Sequence, residues 1–154
     1  MLHSAGDTSR TLSFYHTHTK DRLIVTYAYG KKYKTQALEA INDFLKDFRD
    51  GAKADIDPAL LDFLFDLREQ VGSSGTYEVI SAYRSTATNE MLRARSNGVA
   101  RHSQHVLGKA IDVRLDDVDT KLLRDKAIQM QRGGVGYYRV SNFVHIDTGR
   151  VRRW

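Results

Sequence analysis

The chain has 154 residues, of which 41% are hydrophobic and 28% charged, and a formal net charge of +5. This length and composition are typical of one folded domain and exclude a disordered chain. The absence of cysteine excludes disulfides, iron–sulfur clusters, thiolate zinc sites and cysteine nucleophiles, and no apolar run is long enough for a transmembrane helix.

The two ends of the chain are not expected to carry function. Residues 1–10 lack the basic and apolar regions of a signal peptide, so we expect a disordered or artificial N-terminus there, followed by one domain over residues 11–154. The basic stretch at residues 150–154 is expected to be a solvated tail. The net basic charge would attract a polyanion, but no contiguous stripe of lysine and arginine occurs, so nucleic-acid binding is not expected.

A β-hairpin and two helices are predicted in the first half of the chain. Apolar residues alternate with polar ones at residues 12–14 and 23–27, which is typical of paired strands. A helix is expected over residues 35–50, with Thr35 as its cap. A second helix is expected to begin at Pro58, because an aspartate cap followed by proline favours initiation, and to end before Gly72.

Short strands and two further helices follow in the second half. Strands are predicted over residues 77–84, 110–115, 135–138 and 143–147. Helices are predicted over residues 86–95 and 119–131. This order of elements predicts an α+β fold in which helices pack on a mostly antiparallel central sheet.

Three potential metal ligands, His105, Asp112 and His145, stand in or just before two predicted strands. Side chains alternate between the faces of a strand, and the apolar positions of these strands put Asp112, His145 and Asp147 on the face away from the core. Two imidazoles and one carboxylate leave a tetrahedral zinc ion one open position, as in catalytic sites. Alternation alone leaves a second interpretation open, in which Asp112 faces solvent and His145 is a hydrogen-bonded structural histidine.

Several motifs carry a resemblance to a known family. The pattern Ser-x-His-x-x-Gly-x-Ala-x-Asp at residues 103–112, with a second histidine on a downstream strand, resembles the zinc peptidases of the D-Ala-D-Ala carboxypeptidase, lysostaphin and hedgehog fold group. More narrowly, the chain is similar to murein endopeptidase K and its relatives from about Thr11 to Trp154. The segments that carry this closer similarity are residues 80–85, 89–96, 133–138 and 143–149.

The resemblance implies a hedgehog-like fold and a single zinc peptidase domain with zinc bound by His105, Asp112 and His145. It implies a peptidoglycan endopeptidase that hydrolyses peptide cross-links of murein, with bonds between two meso-diaminopimelate residues favoured. Cleavage of D-Ala to diaminopimelate bonds, or D,D-carboxypeptidase activity, are variants of the same chemistry. The resemblance also implies a periplasmic or cell-envelope location, reached through an export signal or anchor that this sequence does not contain. The alternative is a zinc-stabilised peptidoglycan-binding domain without catalysis.

The general base is the one part of the family pattern that this sequence does not match. In several relatives an acidic residue three positions before the last zinc histidine is the base, and Asn142 stands there in this chain. Asp147 is the nearest carboxylate on the metal-facing side, and is expected either to be the base or to orient a ligand histidine. His102 is a further candidate for the base.

Four more residues are candidates for contact with substrate. Arg84, at the end of a predicted strand, is expected to hold a substrate carboxylate or to stabilise the developing oxyanion, unless it forms a structural ion pair. Ser81, Ser103 and Tyr138 are expected to position substrate, although either serine could instead brace a metal ligand.

Overall fold

One eight-stranded sheet with four α-helices is formed by residues 8–154, the part of the chain that this computed structural model describes. The strands are β1 (Ser9–His16), β2 (Arg22–Tyr29), β3 (Lys32–Tyr33), β4 (Tyr77–Ser81), β5 (Ala110–Leu115), β6 (Gly134–Tyr138), β7 (Phe143–Asp147) and β8 (Arg152–Arg153). The helices are α1 (Thr35–Phe44), α2 (Pro58–Gln70), α3 (Thr86–Arg95) and α4 (Thr120–Met130). Of the expected disordered or artificial N-terminus, residues 1–7 lie outside the described part, and β1 begins before the expected domain boundary at Thr11.

The strands follow the order β3-β2-β1-β4-β5-β7-β6-β8 across the sheet. The β1–β4 and β6–β8 pairs are parallel and the other neighbouring pairs are antiparallel. The α+β class is therefore confirmed, but the sheet is mixed rather than mostly antiparallel. The parallel β1–β4 pair arises because α1 and α2 lie between these strands, and a long crossover of this kind can return the chain in the same direction.

The apolar faces of β5 and β7 lie in the core, as their alternation predicts. Ile111 and Val144 are fully buried and belong to one cluster with Ile41 of α1, Leu64 of α2 and Leu123 of α4. The other face of these two strands is consequently free to carry polar side chains. Helix α3 contributes no residue to this cluster, since its buried residues are the polar Thr88 and Asn89.

Two predicted elements end earlier than expected. Helix α1 ends at Phe44 instead of about residue 50, and its cap is Lys34 rather than Thr35. Its continuation is prevented because the buried carboxylate of Asp47 accepts backbone hydrogen bonds from Arg49 and Ser85.

Strand β4 also stops early, at Ser81 rather than at residue 84. The next backbone amides leave the sheet: that of Tyr83 donates to the carbonyl of Leu45, and that of Arg84 donates to the carbonyl of His105. The second bond holds Arg84 beside the turn that carries His105.

The other helices begin at polar caps. Asp57, Ser85 and Asp119 each accept a hydrogen bond from a backbone amide in the first turn of α2, α3 and α4 respectively. Such caps satisfy amides that the helix itself leaves unpaired. None of the helices in residues 8–154 has the length and hydropathy needed to cross a membrane.

Candidate metal centre

Asp112 and His145 are direct partners across the antiparallel strands β5 and β7. Their side chains share the face away from the core, and Nδ1 of His145 lies 3.0 Å from Oδ1 of Asp112. His105 lies on a 3₁₀ turn (Gln104–Leu107) just before β5, where its Nε2 is 3.3 Å from the same carboxylate oxygen. One ligand atom from each of the three buried residues lies within 4.8 Å of the others. The structure therefore brings the predicted ligand trio together.

The turn that carries His105 depends on two neighbouring residues. The hydroxyl of Ser103 accepts a hydrogen bond from the backbone amide of His105, at 3.2 Å, and caps the turn. Gly108 ends it with φ of 70°, and a Cβ there would lie 2.3 Å from the carbonyl oxygen of Asp55. Because only glycine adopts this conformation without a clash, Gly108 fixes the path from His105 into β5.

The outer nitrogen of each histidine is held by an acceptor of this chain. Nδ1 of His105 lies 2.6 Å from the carbonyl oxygen of Ala82, and Nε2 of His145 lies 2.7 Å from Oδ2 of Asp147. When these outer nitrogens carry the proton, the inner nitrogens present a lone pair toward Asp112, which is the tautomer that a metal ligand requires.

The charges of the cluster also suit a cation. Burial lowers the pKa of His105, which favours the neutral imidazole. Burial alone would raise the pKa of Asp112, but His105 and His145 lower it well below its usual range, so this carboxylate is ionised. Burial would lower the pKa of His145, but hydrogen bonds to Asp112 and Asp147 raise it. The two carboxylates therefore favour the charged form of His145 and oppose the effect of its burial.

Asp147 lies behind His145 and is fully buried. Besides His145, its carboxylate accepts hydrogen bonds from the backbone amides of Gly134 and Gly149 and from the guanidinium of Arg152, whose Nη2 is 2.8 Å away. Burial alone would raise the pKa of Asp147, but His145 and Arg152 lower it well below its usual range. Each contact restricts this carboxylate, and none leaves it open to the cleft.

The open side of the cluster faces a cleft of about 280 Å³. Arg84 lies in its wall with Nη2 at 3.6 Å from Oδ2 of Asp112, and its buried Nε has no hydrogen-bond partner in residues 8–154. Among the other residues that line the cleft are Ser103, His102, Tyr138, Phe143, Arg152 and Trp154.

The remaining candidates are placed differently. Ser103 and Tyr138 line the cleft, but the hydroxyl of Ser103 is used in capping the turn of His105. Ser81 pairs with Asp112 across β4 and β5 but does not line the cleft, and its buried hydroxyl has no partner among the described residues. Asn142 is exposed in a separate pocket and has no part in the cleft.

The C-terminal segment, expected to be a solvated tail, forms part of the site instead. Strand β8 pairs in parallel with β6, and the backbone of Trp154 extends this pairing through hydrogen bonds with Val135 and Tyr137. The indole of Trp154 lies 5.0 Å from the ring of His145 and donates from Nε1 to the hydroxyl of Tyr138, at 2.9 Å. Sequence analysis missed this role because a two-residue strand has no measurable periodicity.

Two glycines of β6 make room for this segment. A Cβ at Gly136 would lie 2.4 Å from Cε2 of Trp154, and one at Gly134 would lie 2.3 Å from Nη1 of Arg152. Gly136 is also the partner of His145 across β6 and β7. The Gly-Val-Gly sequence of β6 therefore leaves space for the indole beside His145, a signal that could have been found in the sequence.

Comparison with known proteins points to one family. A family model described as "Peptidoglycan L,D-endopeptidase MepK" matches residues 4–154. The peptidoglycan L,D-endopeptidase MepK of Escherichia coli K12 is 41% identical over 145 residues, which cover 94% of this chain and 80% of that protein. The probable peptidoglycan L,D-endopeptidase MepK of Haemophilus influenzae is 37% identical over 146 residues, which cover 94% of this chain and 78% of that protein. No solved structure matches the chain significantly.

The contact between Gly136 and Trp154 can be tested by fluorescence, since Trp154 is the only tryptophan of the chain. In Gly136→Ala the added methyl group collides with the indole, which must shift, and we expect its exposed fraction to rise above the 51% of the parent protein. We expect a red-shifted emission maximum and stronger quenching by acrylamide than in the parent protein.

Gly98→Ala is the matched control, because Gly98 lines the same cleft but a Cβ there would meet only Oγ of Ser96, at 3.7 Å. Its emission and quenching should equal those of the parent. Identical spectra for both variants would show that the indole does not lie over Gly136.

Proposed function

The chain belongs to the peptidoglycan L,D-endopeptidase family, and from this premise we propose that it is a zinc enzyme that hydrolyses bonds between two meso-diaminopimelate residues in peptidoglycan cross-links. As a member of a peptidase family it is a hydrolase that acts on peptidoglycan, so the alternative of a binding domain without catalysis is not supported. Its place of action is the cell envelope, where peptidoglycan lies, and we propose the periplasm.

The observation that carries this proposal is the convergence of His105, Asp112 and His145 at the floor of one cleft. Two histidine nitrogens and a carboxylate oxygen, with the outer nitrogens already hydrogen-bonded, fit a zinc ion and leave a coordination position toward the cleft. When bound, zinc polarises a scissile carbonyl and lowers the pKa of water to near neutrality.

Arg84 lies where its guanidinium can contact the substrate group that reacts. Its guanidinium lies in the cleft wall beside Asp112, and its Nε is buried without a partner among residues 8–154. A guanidinium in this position can bind a substrate carboxylate or the negative charge that develops on a carbonyl oxygen. Arg152 also lines the cleft, and its guanidinium is paired with Asp147.

For Asp147 the contacts support the orienting role rather than that of the base. A group with no exposed surface, bound by His145, Arg152 and two backbone amides, has no path to a proton in the cleft. Among the described residues that line the cleft, His102 is the one histidine outside the ligand trio, and histidine is the side chain that most often transfers protons in catalysis. We therefore assign proton transfer to His102.

Removal of any ligand should remove the metal. His105→Ala, Asp112→Ala and His145→Ala are each expected to lose stoichiometric zinc, measured by elemental analysis, and to lose cleavage of cross-linked muropeptides. His18→Ala is the matched control, because this exposed histidine does not line the cleft, and it should keep both properties. Retention of one zinc per chain by two of the three ligand variants would refute this ligand set.

Adding zinc distinguishes a role of Asp147 in orienting His145 from a role as the general base. Asp147→Asn is expected to bind zinc roughly 10- to 100-fold more weakly, as other changes to groups that hold metal ligands do, and to regain activity at saturating zinc. A zinc-loaded variant that stays roughly 10²- to 10⁴-fold less active would identify Asp147 as the base instead. Asp66→Asn, which removes a carboxylate from another ion pair with arginine, should change neither property.

A further inference from the structure

A second pocket of about 330 Å³ adjoins the metal cleft. It lies between α3 and the 3₁₀ turn of His105, and it shares His102 and Ser103 with the cleft, so one ligand can extend from one space into the other. None of the residues assigned above to metal binding lines this pocket. Its lining combines three kinds of group: hydrogen-bond acceptors, a cation and apolar side chains.

The acceptors come from α3. Asn89 is 1% exposed, and its side-chain amide donates to the carbonyl of Ala100, at 3.1 Å. Its Oδ1 is buried and has no partner within residues 8–154, an arrangement that is costly unless a ligand supplies a donor. Glu90, the next residue, adds a carboxylate to the same pocket, where it also forms an ion pair with Arg93. Together Asn89 and Glu90 suit an ammonium group.

The cation is Arg101, on the segment that leads from α3 to the 3₁₀ turn. Its exposed guanidinium forms neither an ion pair nor a side-chain hydrogen bond with any residue between 8 and 154. A free guanidinium binds a carboxylate through two parallel hydrogen bonds. Between these polar groups, Val106 and Leu107 supply apolar surface, and the side chain of Leu107 is 58% exposed.

We propose that this pocket is a specificity subsite for the free side chain of the diaminopimelate residue that contributes the carbonyl of the scissile bond. That side chain is an aliphatic stem that ends in a carbon bearing both an ammonium and a carboxylate. The ammonium binds Asn89 and Glu90, the carboxylate binds Arg101, and the stem lies against Val106 and Leu107. The residue on the other side of the bond does not fit, because its amine is acylated in the cross-link. The assignment rests on the proposed function.

Arg101 is then the residue that distinguishes diaminopimelate from lysine, since a lysine side chain has the ammonium without the carboxylate. The test uses two cross-linked peptide dimers with the same scissile bond, one with meso-diaminopimelate and one with L-lysine at the residue that contributes the carbonyl. We expect the parent enzyme to cleave the diaminopimelate dimer with a kcat/KM higher by roughly 10- to 100-fold, the value of a charge-assisted contact. Arg101→Gln should lose this preference through a raised KM for the diaminopimelate dimer.

Three features of the result distinguish this role from a structural one. The parent and Arg101→Gln should cleave the lysine dimer equally well, and the two proteins should contain the same amount of zinc. Arg95 is an exposed arginine of α3 that lies outside the pocket, so Arg95→Gln is the control and should keep the full preference for the diaminopimelate dimer. Glu90→Gln should raise KM for both dimers, because both carry the ammonium.

The outcomes also separate the subsite from the proposed function. A parent enzyme that cleaves both dimers equally well, or an Arg101→Gln variant that keeps the preference, would overturn the subsite and leave the proposed function intact. A zinc-loaded parent enzyme that cleaves neither dimer would overturn the proposed function, and the subsite with it.

Discussion

The hydrogen bond between Asp112 and His145 depends on the register of two antiparallel strands, and the rest of the site depends on that register. A shift of one residue between β5 and β7 would move His145 to the core face and bring Val144 or Ile146 to the face that carries Asp112. The core prevents this shift, because the apolar residues that alternate with Asp112 and His145 along β5 and β7 are fully buried. They pack in the same cluster as residues of the helices. Packing of apolar side chains on one face of the sheet therefore fixes the positions of Asp112 and His145 on the other face.

The orientation of His145 is secured from outside the ligand trio. Arg152 holds Asp147, Asp147 holds the outer nitrogen of the imidazole, and the indole of Trp154 lies beside its ring. The side chains of Arg152 and Trp154 reach these positions because β6 has glycine at the two residues over which they lie. The short strand β8 thus stabilises the position of His145 although it lies at the edge of the sheet and contributes little to the core.

The sequence predicted those parts of the site that depend on local alternation and spacing. Alternation alone placed Asp112 and His145 on one face, and the cap Asp57 starts a helix as expected. It did not predict the parallel pairing of β1 with β4 or the edge strand β8, because both are set by contacts between residues distant in the chain. The pocket around Asn89 and Arg101 was missed for the same reason, since only the path of the chain between α3 and the 3₁₀ turn brings these residues together.

We expect one zinc ion to be held by the trio formed where β5 meets β7. A crystal of the zinc-loaded protein, measured at the zinc absorption edge, tests this most directly through the anomalous difference map. We expect one strong peak within about 2.0–2.2 Å of Nε2 of His105, Nδ1 of His145 and a carboxylate oxygen of Asp112. A peak elsewhere on the chain, or no peak in the cleft at stoichiometric zinc, would contradict the account.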